Sequence, residues 1–259
     1  MEIKNNTVLI TGGSSGFGLE FAKRLLELGN TVIITGRNLS KLEQIKKLFP
    51  EIHIIQNDVS NPNDILALHK QILQDFPDLN LLINNAGEMR KINLHDATID
   101  LENINREIAI NLSGPIRMVQ QFLPHLKTKK TAAILNVTSG LALVPFPVSP
   151  IYGATKSGLR SYTKSLRIQL KNTNIKVFEL VAPGAKTPLS DKFKNMDNFD
   201  EKGLMDPEKI IDEAIKGLEN NTLEIYPGLS KIIKIMSRIA PAFLLKQTSK
   251  AGANFYQNK

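Results

Sequence analysis

The sequence contains no cysteine, which excludes a disulfide framework, a cysteine nucleophile and a thiolate metal site. Long apolar runs are also missing, because no stretch approaches the ~20 apolar residues that a membrane-spanning helix needs. The first residues, MEIKNN, are polar and precede only a short apolar run, so we expect no secretory signal peptide. The lack of cysteine agrees with a reducing compartment, and we expect a cytoplasmic protein.

Patterns for metal and nucleic-acid binding are absent as well. No two histidines have the spacing of metal ligands, so we expect no metal site. We find no zinc-finger spacing and no basic patch interleaved with aromatic residues, and we therefore expect no nucleic-acid partner. The histidines are His53, His69, His95 and His125.

Acidic residues are missing from the end of the chain, although the net charge of +8 leaves the rest nearly balanced. Residues 225–259 hold six basic residues and no acidic one. The pattern predicts a basic amphipathic C-terminal extension over residues 228–259. Two interpretations stay open: peripheral contact with the anionic inner face of a membrane, or packing on the body with the lysines in solvent. Three basic residues share one stripe of the predicted helix: Lys231, Lys234 and Arg238.

Short apolar runs recur along the chain and are separated by segments of helix length. The runs are near-continuously apolar, as expected for strands buried on both faces, and residues 19–29 are an example of helical spacing between them. This alternation predicts an α/β fold, a doubly wound parallel sheet of about seven strands with helices on both faces. We see no linker or repeat and expect a single domain over residues 1–259. The predicted strands are 7–11, 31–35, 52–56, 80–84, 132–138, 175–181 and 222–226.

A glycine-rich turn follows the first predicted strand and precedes a helix. Glycines there let backbone amides approach a pyrophosphate at the helix N-terminus. At the end of the second strand, Gly36 and Arg37 stand where an NAD-binding fold of this type usually has an acid for the ribose hydroxyls. A guanidinium suits a 2′-phosphate, so we expect NADP(H) to be preferred over NAD(H); the alternative is a solvated loop arginine. The turn comprises Gly12, Gly13, Ser14, Ser15, Gly16, Phe17 and Gly18.

Polar and small residues end the next two predicted strands. Asp58 can accept a hydrogen bond from an adenine amino group while Val59 packs on the ring; the alternative is a turn residue or helix cap. The fourth strand ends in Asn85, Ala86 and Gly87, which place small side chains and flexible backbone near a ligand, although an ordinary turn has the same composition.

A serine, a tyrosine and a lysine follow the fifth predicted strand. Tyr152 stands 13 residues after Ser139, and Lys156 lies one helical turn beyond the tyrosine. An ammonium beside a phenol lowers the phenol pKa from its usual ~10, which predicts a general acid or base; a solvated helix face is the alternative. Upstream, Pro115 cannot bond to the carbonyl of Asn111, and the freed carbonyl either holds an ordered water or marks a kink without a chemical role.

A long, charged segment follows the sixth predicted strand and its Pro183-Gly184 end. Residues 187–207 have apolar side chains spaced through them, which predicts a substrate lid; a poorly packed surface insertion is the alternative. The apolar stretch 141–146, next to Ser139, predicts a partly apolar small-molecule substrate.

Together these motifs resemble the short-chain dehydrogenase/reductase family, in the family's order and spacing over roughly residues 7–188. Within it, the stretches NNTVLITGG, KRLLELGN and VTSGLA are similar to the branch of oxidoreductases associated with D-alanylation of lipoteichoic acid in Gram-positive bacteria. The matching motifs are TGGSSGFG at 11–18, Asp58-Val59, NNAG at 84–87, Asn111, Ser139, YGATK at 152–156 and PG at 183–184.

The resemblance implies a catalytic set of Asn111, Ser139, Tyr152 and Lys156. Tyr152 would protonate the carbonyl oxygen and Ser139 would donate a hydrogen bond to it, while Lys156 would bind the nicotinamide ribose and lower the tyrosine pKa. The Asn111 carbonyl would hold a water that links Lys156 to solvent. The implied cofactor-binding residues are Gly12, Ser14, Ser15, Gly16, Phe17, Gly18, Arg37, Asp58 and Val59 on the adenosine and pyrophosphate side, and Asn85, Ala86, Gly87, Tyr152, Lys156, Pro183, Gly184 and Thr187 on the nicotinamide side.

Two departures from the family pattern concern the cofactor turn and the sixth strand. Phe17 replaces the usual aliphatic residue, and the usual P-G-x-x-x-T is one residue short, which leaves open whether Thr187 reaches the nicotinamide. Relatives commonly pair through the helices that hold Asn111 and Tyr152, so we expect a homo-oligomer.

The leading hypothesis is an NADPH-dependent oxidoreductase that interconverts a carbonyl and an alcohol by hydride transfer, with Tyr152 as general acid or base. One alternative is a non-catalytic nucleotide-binding sensor or scaffold. Another is a membrane-peripheral reductase of a lipid-linked substrate, which the C-terminal extension alone supports. Intact Ser139, Tyr152 and Lys156 favour an enzyme, because a protein without catalysis has no need of the tyrosine.

Overall fold

A computed structural model describes residues 2–256 and contains one seven-stranded sheet in the order β3-β2-β1-β4-β5-β6-β7. Every neighbouring pair of strands is parallel, which confirms the predicted doubly wound α/β fold. The strands are β1 (Thr7–Thr11), β2 (Thr31–Gly36), β3 (His53–Gln56), β4 (Leu79–Asn84), β5 (Ala132–Ser139), β6 (Ile175–Ala182) and β7 (Glu224–Ile225).

Eleven α-helices connect or follow these strands within the described residues. They are α1 (Gly16–Glu27), α2 (Leu39–Leu48), α3 (Pro62–Asp75), α4 (Leu101–Ile108), α5 (Gly114–Lys127), α6 (Pro150–Gln169), α7 (Pro188–Asp191), α8 (Pro207–Glu219), α9 (Leu229–Ile239), α10 (Pro241–Thr248) and α11 (Ala253–Tyr256). None of the helices within residues 2–256 is long and apolar enough to cross a membrane.

Two apolar clusters cover the two faces of the sheet. Helices α1, α2 and α8 bury one set of side chains, including Phe21 and Ile210, against one face. Helices α3, α5 and α6 bury another set, including Leu68 and Phe122, against the other. Because the strands are covered on both sides, their near-continuous apolar sequences are satisfied by burial.

The structure corrects several boundaries. Helix α1 begins at Gly16, three residues before the predicted start, and ends before Gly29, whose φ of 78° suits a glycine after a helix. Strand β7 has two residues instead of the predicted five. Between α4 and α5 the chain makes a π-helical turn, Ala109–Ser113, in which the Gly114 amide donates to the Ala109 carbonyl. Pro115 follows directly and has no N–H to continue the α-helical ladder.

Candidate active site

The glycine turn between β1 and α1 packs closely against the end of β4. A Cβ on Gly18 would lie 2.2 Å from the Gly12 carbonyl oxygen, and a Cβ on Gly12, whose φ is +67°, would lie 2.8 Å from the Cα of Ala86. Neither position therefore accepts a side chain. The backbone of the turn stays bare at the N-terminus of α1, as a pyrophosphate site requires.

Asn85 and Ala86 fasten this turn to the sheet. The amides of both residues donate to Oγ1 of Thr11 at 3.0 Å, and Nδ2 of Asn85 donates to the carbonyls of Thr11 and Gly12 at 3.0 and 3.1 Å. These two predicted nicotinamide-side residues thus also set the shape of the glycine turn.

The other residues of the turn point in different directions. Ser15 is extended and precedes α1, whereas Phe17 packs against the core cluster under α1. Ser14 faces β2, because a Cβ on Gly36 would lie 3.6 Å from the Ser14 Oγ. On the opposite side, a Cβ on Gly16 would lie 3.6 Å from the Cβ of Thr187, so Thr187 covers the glycine turn.

Arg37 lies exposed beside the end of β2. Its carbonyl accepts a hydrogen bond from Gln56 at 2.9 Å, and within residues 2–256 its guanidinium makes no ion pair. Arg37 borders a groove of about 430 Å³, which Asp58 and Asp64 border too. The Oδ1 of Asp58 accepts hydrogen bonds from both the amide and the hydroxyl of Ser60. Asp58 therefore acts as a turn residue through this oxygen.

Asn57 is a residue in the same groove that the motifs do not single out. It is 3% exposed, yet neither its side-chain oxygen nor its nitrogen has a hydrogen-bond partner in the described structure. A buried amide without partners is costly, which makes it a candidate ligand group next to Asp58. Val59, by contrast, is buried in the core cluster on the α3 face of the sheet.

Ser139, Tyr152 and Lys156 meet at the carboxyl edge of the sheet. Ser139 ends β5, and Tyr152 lies near the start of α6, close enough for hydrogen bonding with the Ser139 hydroxyl to lower the tyrosine pKa. The Lys156 ammonium lies 5.7 Å from the centroid of the Tyr152 ring and donates to the Val137 carbonyl at 2.8 Å. Tyr152 is 6% exposed and Lys156 is 4% exposed, so both groups are shielded from solvent.

Burial controls how these two groups titrate. It raises the pKa of Tyr152 to about 12, against a smaller lowering by the Ser139 hydrogen bond. Burial also lowers the pKa of Lys156 to about 8. The tyrosine pKa is therefore not lowered as expected, because the phenolate loses more from desolvation than it gains from its neighbours.

Asn111 is completely buried in the π-helical turn, and its side chain is fully used in holding the site together. Its Oδ1 accepts from the Glu88 amide at 2.8 Å, and its Nδ2 donates to the Glu88 carbonyl at 2.8 Å and to Thr155 at 3.2 Å. A Cβ on Gly87 would lie 3.4 Å from the Asn111 Oδ1 and 3.6 Å from the Lys156 Nζ. The structure therefore brings Gly87, Asn111 and Lys156 together.

A buried carboxylate near the tyrosine belongs to none of the sequence motifs. Glu107 has no exposed surface, accepts from the Arg90 amide at 3.0 Å and pairs with the Arg90 guanidinium at 3.4 Å. The Arg90 carbonyl accepts from Ser149, which precedes α6. Burial raises the pKa of Glu107, and the negative charge of Glu107 helps to raise the pKa of Tyr152. A glutamate inside a charged helix segment gives no sequence signal of such a position.

An apolar cluster stands beside the tyrosine. Tyr152 packs with side chains from the loop after β5, from the segment 187–207 and from the end of the chain. Leu141 and Phe146 are the members from the predicted apolar wall; Pro145 is exposed instead. The cluster comprises Met89, Phe146, Val148, Tyr152 and Phe193, with Leu141, Leu189, Met196, Phe199, Ala251, Phe255 and Tyr256 packed against it.

The segment 187–207 also covers the end of β6. The amide of Met205 donates to the Gly184 carbonyl at 3.0 Å, and a Cβ on Gly184 would lie 3.0 Å from Leu204. Pro183 and Gly184 follow β6 on the same carboxyl edge as Ser139. Thr187 is 9% exposed and precedes α7.

Known proteins that are similar to this chain are oxidoreductases. The family model for short chain dehydrogenase matches residues 6–198. An uncharacterized oxidoreductase, DltE of Bacillus subtilis (strain 168), is 42% identical over 232 residues, which are 88% of this chain and 92% of the relative. A fatty acyl-CoA reductase of Acinetobacter baylyi is 27% identical over 92% of this chain and 81% of its own length.

The solved structures that are similar to this chain also include a dehydrogenase and a reductase. A 3-ketoacyl-(acyl-carrier-protein) reductase of Brucella melitensis, complexed with NADH, is 30% identical with a TM-score of 0.75, covering 84% of this chain and 91% of its own. A short chain dehydrogenase of Burkholderia cenocepacia, in complex with NADP, has a TM-score of 0.81 over 96% of this chain and 99% of its own; at 24% identity it supports the fold alone.

Proposed function

The chain belongs to the short-chain dehydrogenase/reductase family, and from that premise we propose that it reduces an apolar aldehyde or ketone with NADPH. Membership makes it an NAD(P)-dependent oxidoreductase that acts on CH–OH groups. The cofactor preference, the substrate class and the roles of individual residues are the proposal.

A dinucleotide fits the glycine turn, because Gly12 and Gly18 exclude side chains from the N-terminus of α1. In this proposal the turn holds the pyrophosphate, Asp58 borders the adenine, and Asn85, Ala86 and Gly87 lie on the nicotinamide side. The nicotinamide side is covered by Pro183, Gly184 and Thr187, which follow β6. The bound cofactor supplies the hydride.

The preference for NADPH rests on Arg37. The second strand ends without a carboxylate at Gly36, and the Arg37 guanidinium has no ion pair within the described chain that would compete for it. A planar guanidinium can bond two phosphate oxygens, whereas an acid at this point would repel a 2′-phosphate. Asn57 adds an amide without partners in the same groove.

Tyr152 is the proposed general acid of carbonyl reduction. With its pKa raised to about 12, the phenol is protonated at neutral pH and has a proton to donate to the carbonyl oxygen. Hydrogen bonding with Ser139 lowers the pKa of Tyr152, and in this proposal Ser139 donates to the same oxygen, which would hold the carbonyl between the two hydroxyls. The Lys156 ammonium, 5.7 Å from the centroid of the Tyr152 ring, then stands beside the phenolate that remains.

The substrate is proposed to be apolar around its carbonyl, because the cluster beside Tyr152 consists of aromatic and aliphatic side chains. Segment 187–207 acts as the lid in this proposal: Phe193 is 1% exposed and its ring centroid lies 6.2 Å from that of Phe146. The similarity to a fatty acyl-CoA reductase supports an apolar substrate.

One observation carries the proposal: Ser139, Tyr152 and Lys156 share a buried site beside an apolar cluster. Purified protein is given NADPH or NADH and a panel of aldehydes and ketones of increasing apolar size, and reduced nicotinamide is followed by absorbance. We expect turnover with NADPH, and a loss of about 10²-fold or more in Tyr152→Phe. A broad panel without turnover, or full activity of Tyr152→Phe, would leave the non-catalytic sensor as the better hypothesis.

We also propose a homo-oligomer that pairs through α4, α5 and α6. The proposal rests on the resemblance to the family; Leu101 on α4, 83% exposed, and Ile168 on α6, 67% exposed, are the apolar side chains that such pairing would cover. Light scattering of the wild type and of the double variant Leu101→Ser with Ile168→Ser tests this proposal. The variant should have a lower molar mass in solution, because its protomers no longer pair.

A further inference from the structure

Large apolar side chains in solvent concentrate on helices α9 and α10. On α9 they recur at 229, 232, 235 and 239, which places them along one side of the helix. Ile239 is 71% exposed. We call this surface the apolar tail face, and it consists of Leu229, Ile232, Ile235, Ile239, Phe243 and Leu245.

The opposite side of α9 holds the helix on the body. Ser230 is fully buried, and Ile233 reaches Gly140, where a Cβ would lie 3.4 Å from its Cδ1. The Lys234 ammonium lies 4.0 Å from the centroid of the Tyr226 ring and 3.8 Å from a Glu224 carboxylate oxygen. Lys234 is therefore an anchor and does not share the solvated stripe predicted for it. These contacts turn the apolar tail face outward.

Cations border the apolar tail face, and the segment that carries it has no acidic residue of its own. Lys231, Arg238, Lys246 and Lys250 are exposed, and residues 225–256 contain no acidic residue. Lys259, the last basic residue of the chain, lies outside the described residues. An apolar face bordered by cations matches the boundary between the acyl chains and the headgroups of an anionic bilayer.

We propose that the apolar tail face docks α9 and α10 on an anionic membrane surface. A second copy of the chain is a poorer occupant, because a two-fold contact would bring the same cations of both copies together. The helices lie on such a surface and do not span it. Each lysine or arginine held near the anionic headgroups adds to the attraction.

The docked segment continues directly into the proposed substrate pocket, and this step rests on the proposed function. Thr248, the last residue of α10, donates to the Pro145 carbonyl at 2.7 Å, and the Gly252 amide donates to the Asp197 carbonyl at 2.8 Å in the proposed lid segment. Phe255 and Tyr256 then pack against the cluster that contains Tyr152. Docking therefore places the wall of the pocket next to the lipid, in which apolar carbonyl compounds dissolve.

Sedimentation of the full-length protein with vesicles tests the docking. One vesicle is phosphatidylcholine and the other is phosphatidylcholine mixed with phosphatidylglycerol, both at low salt. We expect binding to the mixed vesicle only, weakened about tenfold or more in Ile235→Ser with Ile239→Ser. Lys231→Gln with Arg238→Gln should weaken it about fivefold for each charge removed.

Matched control substitutions are Leu48→Ser and Leu66→Ser on α2 and α3, where the side chains are 71% and 53% exposed. They should bind vesicles like the wild type. Docking is refuted if the wild type stays in the supernatant, if the Ile235 and Ile239 variant still binds, or if light scattering shows that these substitutions instead dissociate an oligomer.

NADPH-dependent reduction of a water-soluble carbonyl compound separates this inference from the proposed function. The tail variants should keep that activity, since their substituted side chains lie in solvent. Vesicle binding without any turnover would remove the proposed function and leave the docking surface standing.

Discussion

Lys156 and Tyr152 are buried side by side, with the ammonium 5.7 Å from the centroid of the phenol ring. Burial opposes the charged form of each, so it raises the pKa of Tyr152 to about 12 and lowers that of Lys156 to about 8. The phenol therefore stays protonated at neutral pH, although its raised pKa makes it a weaker acid than an exposed tyrosine. Once it has lost its proton, the neighbouring ammonium and phenolate neutralise each other, which offsets part of the burial penalty of both.

Lys156→Met should make the protein more stable and less active at neutral pH. The folded pKa of Lys156, about 8, lies below its ordinary 10.5, so the penalty of burying the ammonium is fully present below pH 8 and disappears above 10.5. We expect about 2 kcal/mol of added stability at pH 7, after loss of the hydrogen bond to Val137. Urea unfolding at pH 7 and at pH 10.5 measures it.

That advantage should shrink as the pH rises, because the unfolded wild type then loses its extra proton too. A variant that is less stable than the wild type at pH 7, or an advantage that grows with pH, would contradict the burial argument. Carbonyl reduction should fall at every pH, since the Lys156 ammonium no longer stands beside the phenolate.

The order and type of the strands were predictable because each strand is covered on both faces and is therefore apolar throughout. The predicted positions agree with β1 to β6 to within a residue or two. Strand β7 was overpredicted: the run around Ile225 is apolar, but only Glu224 and Ile225 pair with β6. The length of an edge strand depends on tertiary pairing, which periodicity does not record.

The site was predictable only where spacing reports proximity. Tyr152 and Lys156 are one helical turn apart, so any α-helix over these residues brings their side chains together. The burial that raises the tyrosine pKa comes from segments far away in sequence, such as Phe193 and Phe255. Glu107 and Asn57 likewise look like ordinary polar residues until the fold buries them.

Ser139→Ala should move the titration of Tyr152 to higher pH. The hydrogen bond from Ser139 favours the phenolate and lowers the tyrosine pKa, so its removal raises that pKa further. Alcohol oxidation needs the phenolate as a base, and the rise of its rate with pH should shift to more alkaline pH. We also expect kcat to fall about 10²-fold. An unshifted pH profile would show that Ser139 does not act on Tyr152.

Glu107→Gln should move the same titration to lower pH. The negative charge of Glu107 opposes formation of the phenolate, so the neutral amide lowers the pKa of Tyr152. Glutamine still offers an oxygen to the Arg90 amide, which Glu107 now binds at 3.0 Å. The matched control is Glu88→Gln, which removes a neighbouring ion pair with Arg106 and should leave the profile in place.

Arg37→Asp should reverse the cofactor preference. The carboxylate would repel a 2′-phosphate and can accept from ribose hydroxyls, so the ratio of kcat/KM for NADPH over NADH should fall by about tenfold or more. Lys47→Asp, an exposed charge reversal on the nearby helix α2, serves as the control. If both variants keep the wild-type ratio, Arg37 is a solvated loop residue and the NADPH assignment fails.

Phe193→Ala should alter substrate size preference and leave the chemistry intact. Phe193 is the most deeply buried residue of segment 187–207 and packs near both Phe146 and Phe199, with ring centroids 6.2 and 6.3 Å away. Its removal opens the apolar cluster, so KM for bulky apolar carbonyls should rise about tenfold while kcat for a small aldehyde changes little.

Lys194→Ala, at an exposed neighbour in the same segment, should leave both constants unchanged. Because truncation of a buried phenylalanine also costs stability, Phe193→Leu provides a better packed variant, and it should show the same trend with a smaller rise. An equal effect on small and bulky substrates in both variants would mean that segment 187–207 supports the fold and does not select the substrate.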